Sequence, residues 1–297
     1  MMELSQKDIF AILDLADQLK YEKKHNIPHK VLEGKSIGLI FQKLSTRTRV
    51  SFEAGAYQLG AQAQFLSSKD LQIFRGEPVQ DTARTLSRYL DCVMIRAYDH
   101  KEVEAFQKYS SIPVINGLTD FSHPCQILAD LMTIKERYGA LEELKLAYIG
   151  DGYNIANSLI AGCLIMGMNV SVATPAGYEP DEKVLEFTKK YPDHFSISND
   201  PKLAVKDADI VVTDAWVSMG KEDEREERLK AFKGFTLDQS LLSLAKENAM
   251  VQHCLPAYRG QEITEDVFEA HADEIFEEAE NRLHVQKAIM VLLMKDE

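Results

Sequence analysis

The sequence predicts an α/β protein of two doubly wound parallel-sheet domains with an active-site cleft between them, and two observations carry that expectation. Short runs rich in β-branched residues recur at wide spacing, with amphipathic helical stretches between them. Runs this uniformly apolar suit strands buried on both faces, as in a parallel sheet covered by helices. The set also occurs twice, on either side of one long helical segment.

In chain order, "LSQKDIFAILDLADQLK" reads as an opening helix. It has no basic and apolar leader pattern ahead of it, and no apolar run reaches membrane length, so a soluble, cytoplasmic protein is expected. "KSIGLIF", "AQFLSS", "CVMIRA" and "IPVINGL" are the strands of the first domain. "HPCQILADLMTIKERYGALEEL" is the connecting helix, with Gly139 near its end as a stop signal. "LKLAYIG", "NVSVATP", "DIVVTDAW" and "AMVQHCLP" are the strands of the second domain, and "EEAENRLHVQKAIMVLLM" is a final helix apolar enough to pack back on the body. The expected boundaries are 1–127 for the first domain, with the helix 278–297 packed on it, and 128–277 for the second. No low-complexity segment or solenoid-length repeat interrupts the pattern.

A chain of 297 residues that is 45% hydrophobic and 27% charged has enough apolar surface for two cores, which removes disorder as a reading. The net charge of −13 repels phosphate backbones and so argues against a nucleic-acid partner. A small anion would need a local cluster of donors. The acidic run "KEDEREERLKAF" reads as a solvated helix face. Cys92, Cys125, Cys163 and Cys254 form no CxxC pair or secreted framework, which points to a reducing compartment, with three of them filling core.

Ligands of open α/β sheets bind at the carboxyl ends of strands, and the chemistry-bearing residues fall there. In "FQKLSTRTRVSFE", Ser45 follows a strand and is a good N-cap for a helix opening at Thr46, Arg47 and Thr48. Backbone N–H groups, hydroxyls and a cation at a positive helix end suit a phosphate dianion. Arg49 and Glu53 stand four apart and read as an ion pair, which leaves Arg47 for the ligand. In "DFSHPCQILAD", Ser122 can cap a helix whose start carries His123 and Gln126, and the helix dipole would favour a neutral imidazole able to donate to a carbonyl. "YIGDGYNIANS" tempts toward a dinucleotide fingerprint but lacks the third glycine, while leaving Asn154 as a polar contact. "VVTDAWVSMGKE" places Asp214 at a strand end before a loop with Ser218 and Gly220, suited to an amine, and "QHCLPAYRG" places His253, Cys254 and Leu255 at another. Each has a plainer alternative: a capped surface helix, a structural histidine, turn chemistry for Asp214 and core packing for Cys254. His123 and Cys125 lack ligand spacing with any second pair, and there is no HExxH or CxxC, so no metal is expected.

Taken together, "STRTR", "HPCQ", "DAWVSMG" and "HCLPAYRG" make almost the whole chain resemble the aspartate/ornithine carbamoyltransferase family, and the "SMG" and "HCLP" segments resemble its ornithine type. The resemblance implies transfer of the carbamoyl group of carbamoyl phosphate to the side-chain amine of L-ornithine, giving L-citrulline and phosphate, with no cofactor. It implies that Ser45, Thr46, Arg47, Thr48, Arg96, His123, Gln126 and Arg282 hold carbamoyl phosphate. Asn154, Asp214, Ser218, Met219, Cys254 and Leu255 would hold ornithine, and Arg96, His123, Asp214 and Cys254 would carry the chemistry. It further implies a homotrimer in which Gln72, from a loop resembling "SSKDLQIFRGEP", completes a neighbour's site. The family commonly carries two adjacent asparagines where this chain has Tyr153 and Asn154, which leaves putrescine, N-acylated ornithine or aspartate as alternative acceptors. Outside the class stand a non-enzymatic phosphometabolite-binding protein and a nicotinamide-dependent oxidoreductase.

Overall fold

The computed structural model describes residues 1–218 and 220–295. The chain divides into two compact units, one of Lys7–Leu128 with Asn281–Glu297 and the other of Met1–Gln6 with Ala129–Glu280.

The first unit is built on β1 (Ser36–Phe41), β2 (Gln62–Ser67), β3 (Cys92–Arg96) and β4 (Val114–Leu118), all parallel, in the order β2-β1-β3-β4. Its helices are α1 (Gln6–Lys24), α2 (Thr46–Gln58), α3 (Val79–Leu86), α4 (His100–Tyr109) and the start of α5 (Pro124–Tyr138). The chain steps from β1 outward to β2 and then back across to β3. Parallel crossovers are right-handed, so this reversal sends connecting helices to opposite faces and opens a crevice at the carboxyl ends of β1 and β3. The centre of the sheet is apolar because both faces are covered: Ile40, Val93 and Ile95 pack with Ala83, Val103 and Phe106.

The second unit carries β5 (Lys145–Ile149), β6 (Asn169–Ala173), β7 (Phe195–Ser198), β8 (Ile210–Thr213) and β9 (Met250–His253), again all parallel, in the order β7-β6-β5-β8-β9. Here the reversal lies between β5 and β8. The helices are α6 (Asn154–Ile165), α7 (Glu182–Thr188), α8 (Pro201–Val205), α9 (Arg225–Ala231), α10 (Gln239–Leu242), α11 (Glu265–Ala270) and the start of α12 (Ala272–Met294). Ile149, Val211 and Val251 from the sheet pack with Trp216, Phe232 and Phe268.

Two parallel-sheet α/β domains are therefore present, as the sequence predicts, and the departures are local. The strand β7 is absent from the predicted set, because this short edge strand has only Phe195 and Ile197 as apolar residues and stays partly exposed. The connecting helix stops at Tyr138, where Gly139 takes φ +80° and its N–H donates to the Lys135 carbonyl, a left-handed cap that glycine adopts without strain. The run "KEDEREERLKAF" is not the wholly solvated face expected of it: Arg228 is buried. In the first unit, the later turns of α12 are tied to α1 and α2. The Lys20 ammonium donates to Asn281, and the Lys287 ammonium donates to the Leu19 carbonyl and to Gln58. No described helix is long and apolar enough to cross a membrane.

Candidate active site

The reversal point of the first sheet is filled with hydrogen-bond donors. Ser45 caps α2, its hydroxyl accepting from the Thr48 N–H at 3.2 Å, so the Thr46 and Arg47 amides lie in the first turn, where no helical carbonyl precedes them. Thr48 is fully buried, and its hydroxyl accepts from Arg282 at 2.7 Å and from Arg96 at 3.4 Å. With its lone pairs taken by guanidinium groups, that hydroxyl has its own proton to give. The second amino group of Arg282 donates to the Gln126 side-chain carbonyl at 3.0 Å. Arg96 ends β3, Gln126 lies in the first turn of α5 and Arg282 comes from α12, so two elements meet on the Thr48 hydroxyl and a third is joined to them through Arg282.

His123, just ahead of α5, is held neutral: its pKa lies well below 6.5 because the ring is buried and because Arg282, Arg96 and Arg47 repel a second positive charge. The neutral state agrees with expectation, and burial and three guanidinium groups are causes of it that the sequence reading did not name. Ser122 accepts a hydrogen bond from the Asn116 amide. Arg49 is drawn away from this group. It pairs with Glu53 at 3.1 Å and its guanidinium lies 3.8 Å from the Phe65 ring centre on β2, as the four-residue spacing predicted for the ion pair. Gln72 is exposed at the start of a short 3-10 turn (Gln72–Arg75) and does not join the Thr48 group among the described residues.

In the second unit, Asn154, Asp214 and Cys254 follow β5, β8 and β9, three neighbouring strands astride the other reversal point. The Cys254 thiol donates to the Asp214 carboxylate at 3.2 Å. Burial raises the Asp214 pKa above its usual range, and burial with the Asp214 charge pushes the thiol well above 9.0, so Cys254 is a neutral donor and not a nucleophile. Leu255 has φ +60° and precedes a cis peptide to Pro256. Its N–H donates to His253 Nδ1 at 2.9 Å, which puts the ring proton on Nε2, 3.1 Å from Glu262, with both side chains fully buried. Ligand atoms of Asp214, His253 and Cys254 lie within 4.8 Å of one another, a cluster the sequence spacing did not suggest. Both His253 ring nitrogens are committed to protein partners, so the trio reads as a hydrogen-bonded brace for the loop. Ser218 lies in the loop after β8, with its carbonyl accepting from the Lys221 N–H. Met219 is outside the described residues.

Sequence reasoning missed the residues that fix these loops. Glu262 and Glu278 hold the His253 segment, the latter accepting from the His253 N–H at 2.9 Å. Asp151 hid inside the failed "GDG" fingerprint, where Gly152 packs so closely that a Cβ would lie 2.3 Å from the Glu179 carbonyl carbon. Only a glycine fits there.

Residues 1–136 match the model for "Aspartate/ornithine carbamoyltransferase, carbamoyl-P binding domain", and residues 142–293 match that for the "Asp/Orn binding domain" of the same family. The chain belongs to the aspartate/ornithine carbamoyltransferase family. Within that family it is 53% identical to the ornithine carbamoyltransferase of Geobacter metallireducens over 294 residues, covering 99% of this chain and 97% of that one. It is 50% identical to the enzyme of Thermococcus kodakarensis, over 99% of this chain and 95% of that one. The solved structure of the Pyrococcus furiosus carbamoyltransferase superposes with a TM-score of 0.94 at 49% identity, over 99% of this chain and 95% of that one.

Proposed function

We infer that this chain catalyses transfer of the carbamoyl group of carbamoyl phosphate to the side-chain amine of L-ornithine, releasing L-citrulline and phosphate. In the site itself, the observation that carries the reading is the buried Thr48 hydroxyl bridging Arg96 and Arg282 beside a neutral His123. Fixed cations and a neutral N–H donor at one point suit a ligand that joins a phosphate dianion to a carbonyl. The family's two domain models and the ornithine carbamoyltransferase relatives support both substrates.

Residues 1–127 with the helix 278–297 form the proposed carbamoyl phosphate domain, and 128–277 the ornithine domain. Ser45, Thr46, Arg47 and Thr48 hold the phosphate, and Arg96, His123, Gln126 and Arg282 hold and polarise the carbamoyl group. Asn154, Asp214, Ser218, Met219, Cys254 and Leu255 hold ornithine. A lysine-like amine costs roughly 4 to 5 kcal/mol to deprotonate at about pH 7. Once neutral, its nitrogen bonds to the carbamoyl carbon, the bond from that carbon to the bridging oxygen breaks with the oxygen leaving on the phosphate, and the nitrogen's extra proton passes to Asp214 or to the departing phosphate. Arg96, Thr48 and His123 stabilise the oxyanion that forms in between.

A homotrimer, with Gln72 reaching a neighbour's site, completes the proposal. Its support is the run from Leu44, ahead of α2, to Val50 and Tyr57 on that helix, which are 84%, 55% and 81% exposed, apolar side chains of the kind that pack against a partner. Cytoplasmic residence is supported by four free cysteines. Incubation with carbamoyl phosphate and ornithine, putrescine, N-acetylornithine or aspartate in turn tests the reading. Citrulline from ornithine at the highest kcat/KM is expected, and preference for another acceptor overturns it.

A further inference from the structure

The ornithine assignment above leaves the conformation of the loop after β8 unexplained, since that loop runs from Asp214 to Glu224 with only a 3-10 turn (Glu222–Glu224) inside it. One buried side chain bridges its two ends. Arg228, in the first turns of α9, is 4% exposed. Its Nη1 donates to the Trp216 carbonyl at 3.1 Å and to the Asp151 carboxylate, and its Nε donates to Glu224 at 2.8 Å. The guanidinium also lies 5.1 Å from the Tyr178 ring centre. A single planar fork thus joins the entry of the loop, its exit and the turn after β5 that leads into Asn154. Lysine carries its three donors on a single nitrogen, without the planar spread of this fork, and cannot reproduce the three-way bridge.

We propose that Arg228, paired with Asp151, is a positioning residue for the acceptor substrate: by holding Trp216 and Glu224 at the two ends of the loop after β8, it sets how Ser218 is presented to the amine. The proposal rests on the assignment of that loop to ornithine. Arg228 touches no proposed ligand position, so it acts through the loop. Its loss weakens acceptor binding and leaves carbamoyl phosphate binding alone.

The hold also responds to acid. Burial raises the Asp151 pKa to about 6 against the pull of Arg228, with the Asp214 charge raising it further and Lys221 lowering it. Tyr148 and Tyr178, whose own ionisation the Asp151 charge opposes, face the same carboxyl and stay neutral in this range. As the pH falls through about 6, Asp151 takes a proton, and Arg228 keeps Glu224 and the Trp216 carbonyl but loses the charge beneath it.

The test measures both KM values and kcat for the wild type and for Arg228→Met, Arg228→Lys, Asp151→Asn and Ser218→Ala, from pH 5 to 8. Arg228→Met is expected to raise the ornithine KM by about tenfold or more with the carbamoyl phosphate KM within about twofold of wild type, and Arg228→Lys to recover only part of the loss. Removing one partner of a buried pair risks the fold. The Asp151→Asn protein guards against this, because asparagine imitates the protonated carboxyl. The ratio of wild-type to Asp151→Asn ornithine KM should be well below one at pH 8 and approach one at pH 5, and the substrate's own titration cancels in it. A ratio of one at every pH, or equal changes in both KM values, overturns the clamp. Ser218→Ala separates the two levels: an unchanged ornithine KM there removes the loop assignment itself, whereas a raised KM beside an unaffected Arg228→Met removes only the clamp.

Discussion

Thr48 shows how little room the first half-site leaves for substitution. Its hydroxyl takes donors from Arg96 and Arg282, so losing either guanidinium removes a charge from the proposed carbamoyl site and also frees a lone pair that was filled. Arg96→Gln is expected to lower kcat by about 10² to 10³, the usual cost of one oxyanion donor, with an unchanged far-ultraviolet spectrum. Near-normal turnover takes Arg96 out of that role. Arg49 belongs to a different account although it stands two residues from Arg47. Its pair with Glu53 is half-exposed and contributes no more than about 1 kcal/mol, and stacking on Phe65 adds a similar amount. Arg49→Gln should therefore lower the melting temperature by a few degrees and leave the carbamoyl phosphate KM alone. A large KM change at constant melting temperature contradicts this division.

What could be read from the sequence at the level of elements follows the range of the interaction. The Ser45 cap and the Arg49–Glu53 pair span three and four residues, so spacing alone revealed them. Arg282 reaches Thr48 across 234 positions and Arg228 reaches Asp151 across 77; neither meeting is encoded by any local pattern. Family resemblance supplied Arg282 beforehand, whereas Arg228, set among exposed acids and bases, gave no signal. The edge strand β7 was missed for the related reason that a strand with one weakly buried face has little periodicity to detect. Helix α12 shows a further hidden feature. His284 is buried, and burial with the charges of Lys287, Lys20, Lys24 and His29 drives its pKa from 6.5 to about 3. The folded state binds fewer protons than the unfolded state between those values. Its contribution to stability is therefore complete above 6.5 and is lost as pH falls toward 3, by at most about 5 kcal/mol. Denaturant titrations of His284→Gln should show a shallower fall in stability over that window than the wild type, and parallel curves would place the acid sensitivity elsewhere.

Over the whole molecule, a net charge of −13 contrasts with the three arginines gathered about His123, and this contrast bears on which ionic forms the enzyme can use. The phosphate dianion is welcomed only where the guanidinium groups override the general field at short range. The proposed acceptor site has the opposite surroundings: Asp214 is the carboxylate there, and Cys254 stays a neutral thiol at working pH. A carboxylate stabilises the ammonium form of an amine beside it, so on the proposed assignment the charged acceptor binds well and reacts through its neutral fraction. Neither His123, held neutral, nor Cys254, held protonated, titrates in the neutral range to obscure that fraction. The logarithm of kcat/KM for ornithine should consequently climb with a slope of about one per pH unit between roughly pH 7 and 9, above the titration of Asp151, since the neutral amine grows about tenfold per unit below a pKa near 10.4. The carbamoyl phosphate KM should stay level from about pH 7 to 9, above the second ionisation of a phosphate ester near 6. A profile that is flat over the same range would mean that the amine is already deprotonated on binding. Asp214 would then have to act as a base rather than as an anchor.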